Sequence, residues 1–400
     1  MAFRRITALL LVILMLTISG CGPVHRGPDN SAQYGAPVEF EGPAHDAEVF
    51  FVNVGKADCA AVRIDSEVWL VDTGTEESFP AVFAALELMG AERIAGVILT
   101  HEHEDHIGGL TAAAQRLPVS KVYFPEYVMD RSAILSACEQ AALEYETVRA
   151  GSVITAAQGA DFHVLAPERQ LPGDGNDDSL VAMLEVNGRR FLFTGDMQLE
   201  EDALLTASGA ELKCDVLKVP NHGNPDASGE AFCAACDPLV SVISTDTRKD
   251  RDSANPRVKA RLSGSEIYVT QDHPLGIRIA VSRRGEMSLS FPERPKAAEG
   301  VALSEVSKQN QSFTLENRSE RSVDISRWCV YSTRGYELFV FPEGTLIAPG
   351  GTLKVACRKS PDADGADLVW DLKKAWAENK EDAAVLLDAF GSEVSRRISG

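Results

Sequence analysis

Three of the chain's eight histidines lie within six residues, in the segment His101-Glu102-His103-Glu104-Asp105-His106. His101 and His103 are two residues apart, so in extended backbone their imidazoles project to the same side and can hold one cation. Asp105 and His106 follow where the chain turns, and their side chains can reach a second cation beside the first. Imidazole together with carboxylate suits zinc, manganese or iron, which activate water for attack. The spacing therefore predicts a metal site.

The segments on either side of this cluster indicate how the fold holds it. Residues 94–99 form a short apolar run rich in branched side chains, which is typical of a buried strand. Gly108 and Gly109 follow the cluster, and residues 110–116 then read as the first turns of a helix. The predicted site thus lies in a loop at the C-terminal end of a strand, where open α/β sheets usually carry their sites.

Three other segments repeat this arrangement, in which an apolar strand runs into a polar residue. Residues 68–71 precede Asp72, residues 191–193 precede Thr194-Gly195-Asp196, and residues 215–219 precede Pro220-Asn221-His222-Gly223.

The pattern His-x-His-x-Asp-His resembles that of the metallo-β-lactamase superfamily. The turn at residues 55–58, the Asp-x-Gly turn at Asp72 and the Thr-Gly-Asp at Asp196 resemble the competence-protein branch, the hydrolase domains attached to bacterial DNA-uptake channels. The resemblance covers residues 47–292 and implies an αββα sandwich of class α/β. It also implies two divalent metal ions, zinc or manganese, at the edge of two sheets.

The resemblance further implies a ligand set. His101 and His103 match ligands of the first metal, Asp105, His106 and His222 match ligands of the second, and Asp196 matches the aspartate that bridges both. The usual third histidine of the first metal is replaced by an acidic segment before Ser179, in which Asp177 is the candidate ligand, with its neighbours Asn176 and Asp178 close behind. Asp105 and Asp196 are the expected catalytic groups, and Asp105 is expected to hold the proton of the attacking water.

Four further residues receive expected roles from the same resemblance. Asp72 is expected to orient a ligand histidine. Asp58 either shapes the floor of the site or is only a turn residue. Asn221, which replaces a histidine of the relatives, is expected to donate a hydrogen bond to substrate, and His273 either stabilises a leaving oxygen or is a surface histidine.

The N-terminal residues are typical of an exported protein. Residues 1–20 contain Arg4-Arg5 and then an apolar run that is short for a membrane span, followed by Ile18-Ser19-Gly20-Cys21. That ending resembles a bacterial lipobox, so we expect a lipid anchor on Cys21, at the extracellular face of the cell membrane. The alternatives are a plain signal peptide or an N-terminal anchor. Residues 21–46 are rich in Gly, Pro and polar residues and indicate a flexible spacer.

The C-terminal residues show a different pattern. Residues 293–304 are polar and indicate a linker, and residues 305–400 contain short apolar runs separated by turn signals, which predict a β-sandwich. This part resembles a lamin-tail domain, an immunoglobulin-like module, with Trp328 as its core aromatic. We expect it to bind a surface partner or to position the enzyme. The cysteines follow no disulfide framework: Cys233 and Cys236 are expected on a helix, and pairing of Cys329 with Cys357 stays open.

The charge limits the class of function. A formal net charge of −20 argues against a protein that clings to DNA, although it does not exclude transient cleavage of nucleic acid. A basic cluster at residues 248–261 is expected to be solvated surface. The reading that these features favour is an exported dinuclear hydrolase of a phosphodiester, either a small molecule or DNA. The alternatives are hydrolysis of a lactone, thioester or β-lactam, or a surface-binding protein with a vestigial site.

Overall fold

The computed structural model describes residues 25–26, 32–34, 36–173, 175–377 and 379–399. The predicted signal peptide and Cys21 lie outside these residues. The N-terminal unit has 17 strands, which are β1 (His25–Arg26), β2 (Ala32–Tyr34), β3 (Ala47–Val52), β4 (Ala60–Ile64), β5 (Glu67–Val71), β6 (Ile94–Ile98), β7 (Val122–Pro125), β8 (Tyr145–Val148), β9 (Val153–Ala157), β10 (Ala160–Ala166), β11 (Val181–Val186), β12 (Arg189–Phe193), β13 (Val216–Lys218), β14 (Val240–Ile243), β15 (Glu266–Val269), β16 (Gly276–Val281) and β17 (Met287–Ser290).

Seven α-helices accompany these strands, namely α1 (Phe79–Leu88), α2 (Glu104–Ile107), α3 (Leu110–Arg116), α4 (Arg131–Gln140), α5 (Leu199–Ala207), α6 (Glu230–Cys236) and α7 (Pro256–Arg261). The short 3₁₀ helices of the described chain are Glu76–Ser78, Asn176–Asp178, Pro220–Gly223, Thr270–Asp272 and Ala363–Gly365.

The strands form two sheets that pack face to face. The first has ten strands in the order β1-β2-β17-β16-β3-β4-β5-β6-β7-β8, and the second has seven in the order β15-β14-β13-β12-β11-β10-β9. Aromatic side chains meet between them: the ring centroids of Phe51 and Phe193 are 6.0 Å apart, and those of Trp69 and Phe162 are 5.8 Å apart. A single buried cluster includes residues of both inner faces, so burial of apolar surface holds the two sheets together.

Helices cover both outer faces and complete four layers. Apolar residues of α1, α3 and α4 share a buried cluster with the first sheet, and those of α5, α6 and α7 share another with the second. The predicted αββα architecture is therefore confirmed. Cys233 and Cys236 lie on α6 inside the second cluster, as the sequence predicts for a helix packed on the sheet.

Part of the predicted spacer is built into the first sheet. Strand β2 pairs antiparallel with β17, and Tyr34 is buried against the core between the two sheets. Arg189 then donates a hydrogen bond of 2.7 Å to the carbonyl of Ala36. The prediction of a flexible segment up to residue 46 is wrong for these residues, because composition records turn-forming side chains but not the backbone donors and acceptors of an open sheet edge.

The C-terminal unit is a β-sandwich whose strands are β18 (Val301–Ser307), β19 (Ser312–Asn317), β20 (Val323–Asp324), β21 (Cys329–Ser332), β22 (Leu338–Val340), β23 (Leu346–Ile347), β24 (Thr352–Cys357), β25 (Leu368–Trp370), β26 (Ala383–Leu387) and β27 (Glu393–Ile398). One sheet has the order β18-β19-β24-β25 and the other β22-β21-β26-β27, with β20 and β23 as a separate pair. Trp328 is buried in its core, as predicted. Strand β18 begins at Val301, three residues before the predicted end of the linker.

The sequence left open whether Cys329 pairs with Cys357, and both residues are described in the structure. All seven described cysteines are free and buried. Cys329 lies in an apolar cluster shared with the N-terminal unit, whereas Cys357 lies in the sandwich core. The two thiols therefore belong to different cores and do not pair.

The two units share a buried interface. Phe79 and Phe83 of α1 pack in one apolar cluster with residues of β21, β22 and β26, and the ring centroid of Phe79 is 5.2 Å from that of Tyr331. Arg116, at the end of α3, is buried there and donates to the carbonyls of Arg327 and Ala389 and to Glu87. Because α3 follows the histidine-rich loop directly, the sandwich supports the helix that leads out of the predicted site.

No helix within the described residues combines the length and the apolar character that a membrane crossing needs.

Candidate metal centre

The predicted metal-binding residues converge at the C-terminal ends of four neighbouring strands. His101 follows β6, Asp72 follows β5, Asp196 follows β12 and His222 follows β13. Strands β5 and β6 pair in parallel, as do β12 and β13, so the residues after each pair meet at one edge of its sheet. The packing of the two sheets then brings these edges together, which is why residues 150 positions apart in sequence share one site.

A sharp turn presses Asp196 against the histidine loop. Gly195 has φ +50°, and a Cβ at this position would lie 2.7 Å from the Cβ of Thr100 and 2.8 Å from the Oγ of Ser179. The backbone N–H of Asp196 donates to the Oγ of Ser179 at 3.0 Å. Glycine is needed here because a side chain would force the two loops apart.

Four side chains form a compact group of ligand atoms. Asp105, His106, Asp196 and His222 each offer one ligand atom, and all four atoms lie within 4.8 Å of one another. The Oδ2 of Asp196 is 3.3 Å from the Nε2 of His106 and 3.1 Å from the Nε2 of His222. The Oδ2 of Asp105 is 3.4 Å from the same nitrogen of His222. The structure thus brings together the residues predicted to hold the second metal and the residue predicted to bridge.

His101 and His103 lie directly beside this group. The Nε2 of His101 is 3.0 Å from the Nδ1 of His103, and the ring centroids of His101 and His106 are 4.1 Å apart. His101 is fully buried, whereas His103 is half-buried. Their ring nitrogens converge as the two-residue spacing predicts. Burial lowers the pKa of His101 well below its usual value, and the nearby charge of Asp196 opposes this lowering only in part.

Hydrogen bonds fix the orientation of two of the imidazoles. Asp72 accepts from the backbone N–H of Thr100 at 2.7 Å, and its Oδ2 lies 2.8 Å from the Nδ1 of His106. The Nδ1 of His222 lies 2.8 Å from the carbonyl oxygen of Ser244. Both contacts involve Nδ1 and leave Nε2 pointing into the group of ligand atoms. The structure thus places Asp72 where it orients the imidazole of His106.

A buried cation that sequence reasoning missed lies beneath the site. Lys218 is 4% exposed, forms an ion pair with Asp58, and donates to the carbonyl of Gly195 at 2.9 Å. Its Nζ is also 3.7 Å from the Oδ1 of Asp196. Asp58 therefore shapes the floor of the site rather than serving only as a turn residue. The signal that was available is a lysine inside the otherwise apolar strand before His222.

The donor set fits divalent metal ions. His106 Nε2, His222 Nε2 and Asp196 Oδ1 are buried atoms that lack hydrogen-bond geometry to any described partner. Burial lowers the pKa of His222, but the charges of Asp196 and Asp58 outweigh it and raise this pKa to about 9. Burial likewise opposes the charges of Asp196 and Asp72 on His106, whose pKa is raised well above its usual value. The cluster therefore has a strong affinity for positive charge, and its imidazole and carboxylate donors suit zinc or manganese.

The structure gives Asp177 a task different from metal binding. Its Oδ1 accepts from the backbone N–H groups of Gln198, at 2.8 Å, and Glu201, at 3.2 Å, at the start of α5. Its neighbour Asp178 is buried and accepts from the backbone of Leu171 at 2.7 Å. The acidic segment thus anchors its own loop and caps a helix, and the prediction that Asp177 completes the first site is not supported.

Asp177→Ala is expected to lower the free energy of unfolding by about 1 kcal/mol, because two N–H groups of the first turn of α5 lose their acceptor. Metal content is expected to stay at the wild-type value. Asp130→Ala is the matched control, since Asp130 caps α4 through the N–H of Ser132 at 2.9 Å. Denaturant unfolding and metal analysis of both variants make the comparison. Loss of metal in Asp177→Ala alone would restore the ligand assignment.

Two other expected site residues are engaged elsewhere. Asn221 has φ +44°, and its amide donates one of its two N–H groups to Asp226 at 3.1 Å. His273 stacks on Phe291 with ring centroids 3.7 Å apart, which favours the surface alternative for this residue. Both expectations came from position in the sequence, which does not record the partner of a polar side chain.

Comparison with known proteins agrees with this geometry. Residues 52–245 match the metallo-beta-lactamase superfamily, and residues 294–399 match the lamin tail domain. The chain is 27% identical to ComE operon protein 3 of Bacillus subtilis over 220 residues, which are 50% of this chain and 28% of that protein. It is 26% identical to competence protein ComA of Neisseria gonorrhoeae over 207 residues, which are 51% of this chain and 28% of that protein. The chain thus spans under a third of the length of these relatives.

The chain also resembles solved structures at low sequence identity. The metallo-beta-lactamase fold protein YhfI from Bacillus subtilis matches with a TM-score of 0.40 and 13% identity, over 56% of this chain and 96% of that one.

Proposed function

We propose that this chain, a member of the metallo-beta-lactamase superfamily with a lamin tail domain at residues 294–399, is an exported dinuclear phosphodiesterase acting on DNA. The chain is a metal-dependent hydrolase. The observation that carries the proposal is the group formed by Asp105, His106, Asp196 and His222 beside the pair His101 and His103. This set offers enough ligand atoms for two neighbouring ions that share Asp196.

Two divalent ions, when bound, would activate a water molecule and neutralise negative charge that develops on the substrate. His101 and His103 would hold one ion, and Asp105, His106 and His222 the other. The protein's own contribution is orientation, because Asp72 and the carbonyl of Ser244 hold His106 and His222 with Nε2 facing inward.

Charge balance within the site assigns roles to the carboxylates. Lys218 lies beneath Asp58 and Asp196 and offsets part of their negative charge. The side chain of Asp105 is 19% exposed and is thus the carboxylate of the group that faces the cleft. It is in place to accept a hydrogen bond from the attacking water. Burial raises its pKa, but pairing with His222, His106 and Lys56 lowers it well below the usual range.

The choice of DNA as substrate rests on the competence relatives. Competence protein ComA is named for competence, and the regions of this relative and of ComE operon protein 3 that match each cover about half of this chain. A phosphodiester also suits the chemistry, because two cations beside a general base are a recurrent arrangement for attack at phosphorus.

The substrate test uses one panel. Full-length protein is freed of metal, reconstituted with manganese or zinc, and assayed on single-stranded DNA, a phosphodiester dye, a lactone, a thioester and a cephalosporin. We expect hydrolysis of the DNA and of the dye, with either metal. Hydrolysis of the lactone, thioester or cephalosporin with no action on either phosphodiester would contradict the proposal.

Export by lipid anchoring is the second part of the proposal. The lipobox-like Ile18-Ser19-Gly20-Cys21 motivates it. Cys21→Ala is expected to release the protein from the membrane fraction or to leave it unprocessed, because a lipidated cysteine carries two anchoring signals. Fractionation with immunoblotting makes the measurement. Unchanged membrane partitioning together with normal processing would argue against a lipoprotein.

A further inference from the structure

Lys56 is a cation fixed at the mouth of the metal centre. Its Nζ donates to the Oδ2 of Asp105 at 2.8 Å, and 31% of its side chain is exposed. The turn that carries it is held at two points: the N–H of Asp58 donates to the carbonyl of Asp105 at 3.0 Å, and the N–H of Gly74 donates to the carbonyl of Asp58 at 2.8 Å. An ammonium has three N–H donors. Lys56 gives one to Asp105 and can give another to a ligand in the cleft.

A second set of cations lies on a loop that is tied to the turn of His222. The N–H of Ala254 donates to the carbonyl of His222, and that of Asn255 to the carbonyl of Gly223, both at 3.0 Å. At the other side, the amide of Asn224 donates to Asp250 at 3.1 Å. The loop of residues 246–254 is therefore a wall of the site and not a remote surface.

The loop carries three acidic and three basic residues, and only one of the basic residues forms a salt bridge among the described residues. Arg248 is paired with Asp246 through two nitrogens. Lys249 and Arg251 are exposed, and neither pairs with an acidic side chain among the described residues. Lys56 and this loop meet at one place, because Lys56 contacts Asp105, the Oδ2 of Asp105 lies 3.4 Å from the Nε2 of His222, and the loop is bound to the backbone of His222.

The composition does not lead us to expect exposed cations without a salt bridge beside the site. The chain has 59 acidic and 39 basic residues, so acidic partners for its cations are plentiful. Exposed cations beside the site attract anions, whereas the net negative charge of the protein repels anions from its other faces. The expectation that the basic cluster is ordinary solvated surface does not account for its anchoring to His222.

We propose that Lys56, Lys249 and Arg251 form an anion-binding rim that selects substrates with more than one phosphodiester group. Lys56 contacts the anionic group undergoing hydrolysis, and Lys249 and Arg251 contact a neighbouring anionic group of the same molecule. Both kinds of side chain bind phosphate oxygens through charge-assisted hydrogen bonds. This inference rests on the proposed function and narrows it to a polyanionic substrate such as single-stranded DNA.

Binding and hydrolysis are measured separately on the full-length, manganese-loaded protein. Binding uses fluorescence anisotropy of a labelled phosphorothioate oligothymidylate between about 50 and about 200 mM salt. The plot of log affinity against log salt is expected to become shallower by about 0.7 for each phosphate contact removed. The variants are Lys56→Gln, Lys249→Gln with Arg251→Gln, and Lys56→Arg, which keeps the charge and is expected to recover most of the wild-type slope.

The matched control is Lys359→Gln with Arg284→Gln, which removes the same charge from exposed positions outside the rim. Its salt slope is expected to equal that of the wild type. For hydrolysis of the unmodified oligonucleotide, Lys249→Gln with Arg251→Gln is expected to raise KM by about tenfold, because ionic contacts are lost from substrate binding.

The outcomes separate the two proposals. A wild type that does not bind the oligonucleotide, or rim variants with the slope of the control, would overturn the rim. Rim-dependent binding without hydrolysis of any phosphodiester would contradict the proposed function and leave the rim in place. Hydrolysis of a phosphodiester together with unchanged salt slopes in the rim variants would leave the proposed function in place and overturn the rim.

Discussion

Asp196→Asn is expected to abolish hydrolysis while the protein stays folded. Asp196 is the carboxylate that contacts both His106 and His222, and it lies beside the pair His101 and His103. Asparagine has the same shape but no charge, so the group that the two ions would share loses its central ligand. A fall in kcat of about a thousandfold or more is expected, the scale seen when one charge-stabilising group is removed from an active site.

Three measurements on this variant separate a chemical effect from a structural one. Metal content is expected to fall, the far-ultraviolet circular dichroism spectrum to be retained, and kcat to be lost. Asp202→Asn is the matched control, because Asp202 is also a buried aspartate but accepts a hydrogen bond from the N–H of Gly229, which an amide oxygen can accept as well. Full activity of Asp196→Asn would rule out the dinuclear mechanism.

Arg116→Met is expected to lower the free energy of unfolding by about 3 kcal/mol, the cost of removing one partner from a buried ionic network. Arg116 is 5% exposed and holds together groups from both units, namely Glu87 of α1 and the carbonyls of Arg327 and Ala389. Methionine fills similar space but leaves these acceptors without a donor. Glu87 still contacts Arg327 at 3.1 Å, so the substitution removes the hydrogen bonds to the two buried carbonyls and one ion pair.

Arg93→Met is the control for this effect. Arg93 pairs with Glu67 at 2.6 Å, but its side chain is 56% exposed, so the expected change is below about 1 kcal/mol. Unfolding by denaturant, followed by fluorescence, compares the two variants. Equal stability of Arg116→Met and the wild type would show that the two units are joined only by the chain, as a tethered module would be.

This interface bears on the role of the lamin tail domain. Helix α3, which carries Arg116, begins three residues after the end of α2 and follows the loop of metal-binding residues. The sandwich therefore supports the helix that leads out of the site. The sequence predicted the sandwich, but it could not show this contact, because Phe79 and Phe83 look like ordinary members of an amphipathic helix until the second unit covers them.

The sequence predicted the ligand cluster well because the information is local. His101, His103, Asp105 and His106 lie within six residues, the last two of them on the short helix α2, and Asp196 and His222 each follow a recognisable apolar strand. Roles that depend on a distant partner were less accessible. Asp177 was expected at the metal, but the acceptor it provides is used by α5, and only the fold shows that these N–H groups are nearby.

The roles of Lys218 and Lys56 also depend on partners that are distant in sequence. Lys218 is one cation in an apolar strand, and its meaning depends on Asp58, which is 160 residues away in the chain. Lys56 is one residue of a short polar turn, and its meaning depends on Asp105. Charge pairing across a fold leaves no periodic pattern, so neither lysine could be assigned from one sequence.

The most direct test of the central claim is the metal stoichiometry of the purified full-length protein and of two single-ligand variants. Mass-spectrometric metal analysis is carried out on the wild type, His103→Ala and His222→Ala after reconstitution with zinc or manganese. The proposed arrangement predicts two ions per chain in the wild type and one in each variant, since each variant removes a ligand from a different ion. One ion in all three proteins, or loss of both ions in each variant, would contradict two separate sites that share Asp196.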